Sequence, residues 1–477
     1  MISADHVPSR RPNVLLYTPP SPLNYTRLGR CGGSSKGGER WPPIKLLWMA
    51  GAARRHGNVL FIDGDNGGLT EAGFLARAVE FRPDWIVSEP LPNLLDVEIH
   101  LLERMKAAHP GVRVVLTGAF ASVQHTEILQ RHPVVDFVIP FEVEGAIEEL
   151  LAGKPVLEIP GLYYREGGEE RSTGNRPFLK DLDGLAFPAH DLLHGADYFA
   201  PFIQRGPFTI VETSRGCPYP CVYCNAHVMN GKVQRYRSPD NVIAEMKWLQ
   251  EIGIREVYFN DETFTLHHER LSVILDRMIA ERIDLTWVCN TRADVVRKDI
   301  LKKMKAAGCH TIFFGVESGD QRIVDYYRRE LTLGQVREAF AACREVGLKT
   351  VAHFIFGAPD ETEETIRSTI AFAREIKPTL VSFNLLTPYP GTRVHDLLEE
   401  EGLLNRKDYA EVDQSRNMLV RSKSLSPERL KEALGEAYLG FYVRPGYILR
   451  RFLAVRSWMD LKKILNGYRH MRSLMRR

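Results

Sequence analysis

Residues 214–227 read SRGCPYPCVYCNAH and bring together three of the seven cysteines of this 477-residue chain, Cys217, Cys221 and Cys224. By chance, this spacing is expected in about two of a thousand such chains, so the cluster needs a chemical explanation.

The sequence shows no cleavable apolar leader and no run of about 18 apolar residues, which predicts a cytoplasmic protein without a membrane span. In a reducing compartment, clustered thiols are more often metal ligands or catalytic groups than disulfides.

Two kinds of metal site agree with the cysteine cluster taken alone. Zinc needs four ligands in a structural site, and His227 completes a set of three cysteines and one histidine with the spacing C-x3-C-x2-C-x2-H. A four-iron cluster held by only three cysteines keeps one iron open for chemistry. The first alternative predicts a non-enzymatic binding module, and the second predicts an enzyme.

The sequence around the cluster favours the enzyme. From FTIVETS (208–214) to LVSFNLLTPYPGT (380–392), strand-like and helix-like runs alternate six times. This alternation predicts a parallel sheet closed or nearly closed into a barrel, with ligands at the carboxyl ends of the strands. A zinc knuckle would instead lie in a short module rich in cysteine and histidine.

The cysteine spacing, with Tyr223 just before Cys224, resembles the motif C-x3-C-x-aromatic-C of the radical S-adenosylmethionine (SAM) superfamily. The resemblance implies a partial (β/α)6 barrel whose three cysteines hold a [4Fe–4S] cluster. It also implies that the open iron chelates SAM and that reductive cleavage yields a 5'-deoxyadenosyl radical. An electron donor such as flavodoxin or ferredoxin is implied as a partner.

Further residues at the predicted strand ends resemble SAM-binding residues of that superfamily. The resemblance implies a SAM-binding role for Tyr223 as well. Asp261 lies in NDETF (260–264), which replaces the more common Gly-Gly-Glu, and Arg292 ends the third strand. Glu317 and Ser318 follow the fourth strand, where the family contacts the ribose and the methionine moiety. Gly357 is expected to let the backbone approach the adenine. A capping or surface role is the alternative for each of them.

Residues 12–155 contain a second alternation of strands and helices, with the strand runs PNVLLYTPP, NVLFIDGDNGG, PDWIVSEP, VRVVLTGAF and VVDFVIPFE. This pattern predicts a doubly wound α/β domain that binds ligands beyond the carboxyl ends of its strands. It resembles the cobalamin-binding domain of a radical SAM subfamily that includes anaerobic magnesium-protoporphyrin ester cyclase and cobalamin-dependent methylases. We therefore expect cobalamin as a further cofactor.

The predicted corrinoid site departs from the family pattern at one position. Corrinoid domains carry Asp-x-His-x-x-Gly, and in DGDNGG (63–68) Asp65 stands where the histidine would be, with Gly68 at the final glycine. Because a carboxylate is a poor substitute for imidazole on cobalt, cobalamin would bind base-off without a histidine ligand, or the domain would bind no corrinoid. The resemblance also implies that Ser88, Thr117 and Gly118 leave room for the nucleotide tail.

These patterns predict four segments: a cobalamin-binding-like domain at 12–155, a linker at 156–204, the radical SAM barrel at 205–400 and a helical basic region at 401–477. From Arg444 to Arg477 the chain has ten Lys or Arg and one acidic residue. An amphipathic basic helix is typical of contact with a membrane surface or an anionic partner, although a helix packed on the barrel gives the same pattern. No nucleic-acid-binding pattern is present.

The sequence as a whole predicts a radical SAM enzyme that transfers a methyl group from cobalamin to an unactivated centre of a small-molecule or lipid substrate in a biosynthetic pathway. One alternative is radical cyclisation, rearrangement or 3-amino-3-carboxypropyl transfer without cobalamin. The other is the non-enzymatic zinc protein.

Overall fold

A computed structural model describes residues 10–21, 25–27, 32–34, 39–66, 68–404 and 419–453. Within these ranges, no helix is long and apolar enough to cross a membrane. Most of the basic stretch that was predicted to contact a membrane or an anionic partner lies outside the described residues.

The strands are β1 (Asn13–Thr18), β2 (Tyr25–Arg27), β3 (Gly32–Ser34), β4 (Asn58–Asp63), β5 (Trp85–Ser88), β6 (Arg113–Leu116), β7 (Phe137–Val138), β8 (Tyr163–Glu166), β9 (Glu169–Ser172), β10 (Phe208–Val211), β11 (Ser214–Arg215), β12 (Arg235–Tyr236), β13 (Glu256–Phe259), β14 (Thr286–Thr291), β15 (Cys309–Glu317), β16 (Lys349–Phe356) and β17 (Leu380–Leu385). The helices are α1 (Ile44–Arg54), α2 (Glu71–Glu80), α3 (Leu95–Ala108), α4 (Gly118–Arg131), α5 (Glu144–Leu151), α6 (Ala226–Asn230), α7 (Pro239–Glu251), α8 (His268–Ala280), α9 (Lys298–Ala306), α10 (Gln321–Tyr326), α11 (Leu333–Val346), α12 (Glu363–Ile376), α13 (Arg393–Glu400), α14 (Pro427–Tyr442) and α15 (Pro445–Leu453).

The first sheet has the strand order β4-β1-β5-β6-β7-β8-β9, and its first five strands are parallel. Strands buried on both faces read as continuous apolar runs, which is why NVLLYT and WIVS form β1 and β5. The strand order reverses between β1 and β5, and a ligand crevice is expected there at the carboxyl ends. The predicted doubly wound fold is therefore confirmed.

The predicted linker contributes structure of its own to the first sheet. Strands β8 and β9 form an antiparallel hairpin, and β8 pairs with β7. The hairpin has mainly polar side chains and forms the outer edge of the sheet, where charged residues discourage pairing with other chains.

The second sheet has the order β10-β13-β14-β15-β16-β17, and all of its strand pairs are parallel. Its helices begin at clear caps: Ser238 precedes α7, and Thr332 forms a capping box with Gln335 at α11. The edge strand β17 is covered by α14, because Tyr438 and Tyr442 each donate to and accept from the β17 backbone. These contacts satisfy backbone N–H and C=O groups of β17 that would otherwise be unpaired at the edge of the sheet.

Helix α1 joins the two sheets. It is almost wholly buried, and its residues share one hydrophobic core with side chains of both sheets, including Ile210, Tyr258 and Phe313 of the second. The two sheets are therefore packed together through α1, and this arrangement shapes the site described below.

Candidate active site

The cysteine loop follows β10 and lies between the paired strands β11 and β12. Gly216 opens the loop with a φ of +94°, and a Cβ atom there would lie 2.2 Å from the carbonyl oxygen of Val233. Only glycine fits this position. Cys221 is buried, and Cys217 and Cys224 are half-buried.

The arrangement of ligands argues against a single zinc ion. Among the described residues, no three His, Cys, Asp or Glu side chains lie close enough together to hold one metal ion. Ligands of a tetrahedral zinc with bonds of about 2.3 Å lie within about 4 Å of one another, so the predicted set with His227 is not formed. The Nε2 atom of His227 is buried without a hydrogen-bond partner in the described part of the chain. A four-iron cluster spreads its thiolates more widely than a single zinc ion does.

Two buried guanidinium groups face Cys221. Nη1 of Arg329 lies 3.3 Å from the Cys221 sulfur and Nη1 of Arg292 lies 3.9 Å from it. Arg292 also stacks on the ring of Tyr219, 3.5 Å from its centroid, and pairs with Asp294 at 2.9 Å. Hydrogen bonds to cysteine sulfurs are one of the ways in which proteins tune iron–sulfur clusters. The structure thus brings the predicted Arg292 to the cysteines and adds Arg329, which the sequence did not single out.

Glu317 and Tyr223 also lie close to Arg329. The Tyr223 hydroxyl donates to Oε1 of Glu317 over 2.7 Å, and Nε of Arg329 lies 3.6 Å from the same oxygen. Burial raises the pKa of Glu317, against the opposing effects of Arg329 and Tyr223. Its φ of +67° is a conformation that non-glycine residues rarely adopt, and such strain is concentrated at functional sites. The predicted Tyr223, Glu317 and Arg292 therefore form one cluster around Cys221.

Three other predicted SAM contacts have protein partners in this structure. Asp261 accepts from the backbone N–H and the hydroxyl of Thr213, so it fastens the start of the cysteine loop to the end of β13. Burial raises the pKa of Asp261. The hydroxyl of Ser318 lies 3.0 Å from that of Thr369 on α12. Gly357 has a φ of +106° and donates its N–H to Oε2 of Glu361.

The predicted corrinoid residues lie along the carboxyl edge of the first sheet. The N–H of Asp65 donates to the hydroxyl of Thr18, the hydroxyl of Ser88 donates to buried Glu98, and the hydroxyl of Thr117 donates to the Ile139 carbonyl. These hydroxyl groups are therefore directed into the protein.

The two predicted glycines of the corrinoid site differ in their surroundings. Gly68 has a φ of +58° and no atom within 4 Å of its Cβ position. A Cβ atom on Gly118 would lie 2.4 Å from Cγ of Glu89. The crevice thus has open space at Gly68, whereas the Glu89 side chain lies against Gly118. Because position 65 is an aspartate, this loop supplies no imidazole ligand for a corrinoid.

A buried charge network connects the corrinoid edge to the cysteine loop. Arg215, next to the loop, donates to Oε1 of Glu144 over 2.6 Å and lies 3.6 Å from Glu142. Arg235 of β12 pairs with Glu142 at 2.8 Å. Burial disfavours the charge of Glu144, but Arg215 holds its pKa below the ordinary value. Glu142 and Glu144 follow β7, so this network places the cysteines beside the carboxyl edge of the first sheet.

Residues 211–373 match the radical SAM superfamily, and residues 34–151 match the B12 binding domain. Over 462 residues the chain is 31% identical to an uncharacterized methyltransferase of Pyrococcus horikoshii, with 95% of this chain and 97% of the relative covered. The chain belongs to the radical SAM superfamily. It is an enzyme of the group with a B12-binding domain. This confirms both predicted domain types and the cofactors predicted for them.

This radical SAM enzyme is also 26% identical to the anaerobic magnesium-protoporphyrin IX monomethyl ester cyclase of Cereibacter sphaeroides, with 87% of this chain and 69% of the relative covered. Its fold is similar to that of the radical SAM methyltransferase TsrM from Kitasatospora setae, with a TM-score of 0.71 and 15% identity over 98% of this chain and 99% of the other. That structure contains cobalamin and a [4Fe–4S] cluster.

Proposed function

We propose that this enzyme transfers a methyl group, by way of cobalamin, to an unactivated centre of a small-molecule or lipid substrate. The observation that carries the proposal is the network of Arg215 and Arg235 with Glu142 and Glu144, which holds the cysteine loop against the corrinoid edge of the first sheet. Methyl transfer from a corrinoid requires the two cofactors to face one substrate. An enzyme that works without cobalamin would not need its N-terminal domain to face the cysteine loop in this way.

Each part of the site has a proposed task. Cys217, Cys221 and Cys224 would hold the cluster, and Glu317 with Arg329 would bind polar groups of SAM. The bound cofactors supply a 5'-deoxyadenosyl radical and a transferable methyl group. The remaining work of the chain is orientation and the exclusion of water and oxygen.

The corrinoid would lie between the carboxyl edge of the first sheet and the second sheet, and thus between the domains proposed at 12–155 and 205–400. Ser88, Thr117, Gly118, Asp65 and Gly68 are the proposed residues of that edge. The first two shape the crevice through their backbone and methyl or methylene atoms, because their hydroxyls bind protein groups.

Inner side chains of the second sheet would exclude water from the reaction. Phe202 packs edge-on against Phe313 with ring centroids 4.6 Å apart, and Trp41 lies 5.5 Å from both Phe202 and Tyr258. These rings form an apolar floor contributed by the first domain, the connector and the second sheet together.

Relatives support different reactions on this common scaffold. The Pyrococcus relative is named a methyltransferase, and the structure of TsrM is that of a methyltransferase. The Cereibacter relative is a cyclase, which supports radical cyclisation as the second candidate. We also propose that a flavodoxin or ferredoxin donates the electron. The basic C-terminal region is proposed to contact a membrane.

Anaerobic reconstitution of the enzyme with iron, sulfide and hydroxocobalamin tests the proposal. After removal of free cofactor, we expect retained corrinoid, about four irons per chain, and 5'-deoxyadenosine formation from SAM under reducing conditions. Replacing Cys217, Cys221 or Cys224 by Ala should remove most iron, whereas the matched control Cys343→Ala, at a buried core cysteine, should not. SAM cleavage by a parent protein that retains no corrinoid would contradict methyl transfer and favour the second candidate.

A further inference from the structure

Asp63, the first residue of the predicted corrinoid motif, accepts three hydrogen bonds from protein groups through its two carboxylate oxygens. Its Oδ1 atom accepts from the hydroxyl of Thr18 at 2.7 Å and from the N–H of Asn66 at 3.3 Å. Its Oδ2 atom accepts from the hydroxyl of Tyr198. The residue that completes this set comes from the connector, 135 positions along the chain.

This partner explains how the motif keeps its aspartate without its histidine. A histidine that binds a metal commonly donates its second ring N–H to a carboxylate, which fixes the ring. Position 65 of this chain has no ring to fix, yet Asp63 is retained. The Tyr198 hydroxyl supplies the donor that such a histidine would otherwise have provided.

Tyr198 is itself held firmly at this point. Its neighbour Phe199 forms two backbone hydrogen bonds with Arg40, at 2.8 and 3.0 Å, and Arg40 pairs with Asp197. Together with Trp41 and Phe202, the Tyr198 ring packs against a small core of Ala200, Ile203 and Phe208. Burial and the nearby carboxylate of Asp63 raise the pKa of Tyr198 well above its ordinary value, so the hydroxyl stays a donor.

We propose that Tyr198 replaces the missing histidine as the partner of Asp63, and that this pair positions the loop Asp63–Asn66 for cobalamin. Tyr198 is thus a positioning residue, which acts through Asp63 and ties the corrinoid loop to the aromatic floor of the second sheet. The inference rests on the proposed cobalamin function.

The first test measures corrinoid release. Tyr198→Phe and Asp63→Asn should each weaken retention of hydroxocobalamin by roughly tenfold or more, because a hydrogen bond to a charged group is lost. Iron content should be unchanged. The matched control is Tyr447→Phe, which removes a tyrosine hydroxyl that donates to the Thr379 carbonyl far from this site; its retention should equal that of the parent. Equal retention by Tyr198→Phe and the parent would overturn the inference alone. A parent that retains no corrinoid would overturn the proposed function, and with it the inference.

The second test restores the histidine. In Asp65→His, the new imidazole would have to share Oδ2 of Asp63 with the Tyr198 hydroxyl, so electron paramagnetic resonance of the bound cob(II)alamin should show weaker nitrogen splitting of the cobalt lines than in a variant without that hydroxyl. The double variant Asp65→His with Tyr198→Phe frees Oδ2 of Asp63 and should show clear splitting into triplets. Equal splitting in the single and double variants would overturn the inference, since Tyr198 would then not control the carboxylate. This spectrum does not depend on turnover.

Discussion

Arg329 donates a hydrogen bond to the sulfur of Cys221 across 3.3 Å, although 108 positions separate the two residues in the chain. The guanidinium is buried, and its Nη2 atom donates to the Gly315 carbonyl at 2.8 Å, so its direction is fixed from two sides. Hydrogen bonds to the cysteine sulfurs are among the features that set the reduction potential of iron–sulfur clusters. Arg329 is therefore placed to influence the potential of the proposed cluster.

Replacing Arg329 by Met should make the reduction potential of the reconstituted cluster more negative. The loss of a hydrogen bond to a charged group, about 1.5 to 3 kcal/mol, corresponds to roughly 60 to 130 mV for one electron. A potentiometric titration followed by electron paramagnetic resonance measures this shift. Arg337→Met is the matched control, because Arg337 pairs with Glu375 at the surface. A potential in Arg329→Met equal to that of the parent would show that the contact does not act on the cluster.

Glu317→Gln should weaken SAM binding by about 1 to 3 kcal/mol while iron content stays intact, because a charged hydrogen-bond partner is lost. Tyr223→Phe is the informative comparison, since it removes the donor at 2.7 Å and leaves the carboxylate in place. Equilibrium dialysis with SAM measures both variants, and we expect the smaller loss in Tyr223→Phe. Unchanged affinity in Glu317→Gln would assign Glu317 to a structural role.

The strands and the cysteine cluster could be predicted because their signals are local. Continuous apolar runs separated by helical segments specify parallel strands buried on both faces, and Glu317 was identified because it directly follows such a run. Arg329 carries no comparable signal: in the stretch YYRRE it is one of two adjacent arginines, and arginine is common on protein surfaces. Only the folded chain shows that one of them is buried against Cys221.

Tyr198 and the β8–β9 hairpin were missed for different reasons. Tyr198 acts through a contact with Asp63 that no local pattern can reveal, because the connector and the first sheet meet only in the fold. The hairpin did have a local signal, since Gly167 and Gly168 form a two-residue turn between Tyr163–Glu166 and Glu169–Ser172. Its charged side chains made the segment resemble a loop.

Glu144→Gln should destabilise the fold by about 1 to 3 kcal/mol at neutral pH, because Arg215 loses the charge of its closest carboxylate but keeps Glu142 at 3.6 Å. The folded pKa of Glu144 lies below its ordinary value of 4.5, so its contribution is present above that pH and is lost as the pH falls further. The difference in the free energy of unfolding between parent and variant, measured in urea, should therefore become smaller at acid pH. Glu148→Gln on the same helix is the control, since its pair with Arg55 is more exposed. A constant difference down to acid pH would contradict this assignment.

Glu361 should show the opposite dependence on pH. Burial raises its pKa to about 7 from an ordinary 4.5, although hydrogen bonds from Thr365 and Gly357 oppose the rise. The folded state then binds more protons than the unfolded state in this window, so stability should be greatest below the ordinary pKa and fall as the pH rises toward about 7. The free energy of unfolding in urea should be compared between the parent and Glu361→Gln. The difference between the two should change by up to about 3 kcal/mol across this window and be constant above it.

The matched control is Glu363→Gln, two positions further along. The pKa of Glu363 is lowered by its hydrogen bonds with Arg429, so its contribution should be constant over the same window and fall only at more acidic pH. Because Glu361 accepts the N–H of Gly357 at 3.2 Å, the same titration should be accompanied by a change in SAM affinity if Gly357 approaches the adenine. Parallel pH profiles for the Glu361 and Glu363 variants would contradict the raised pKa, and an affinity for SAM that is constant across the window would contradict the role of Gly357.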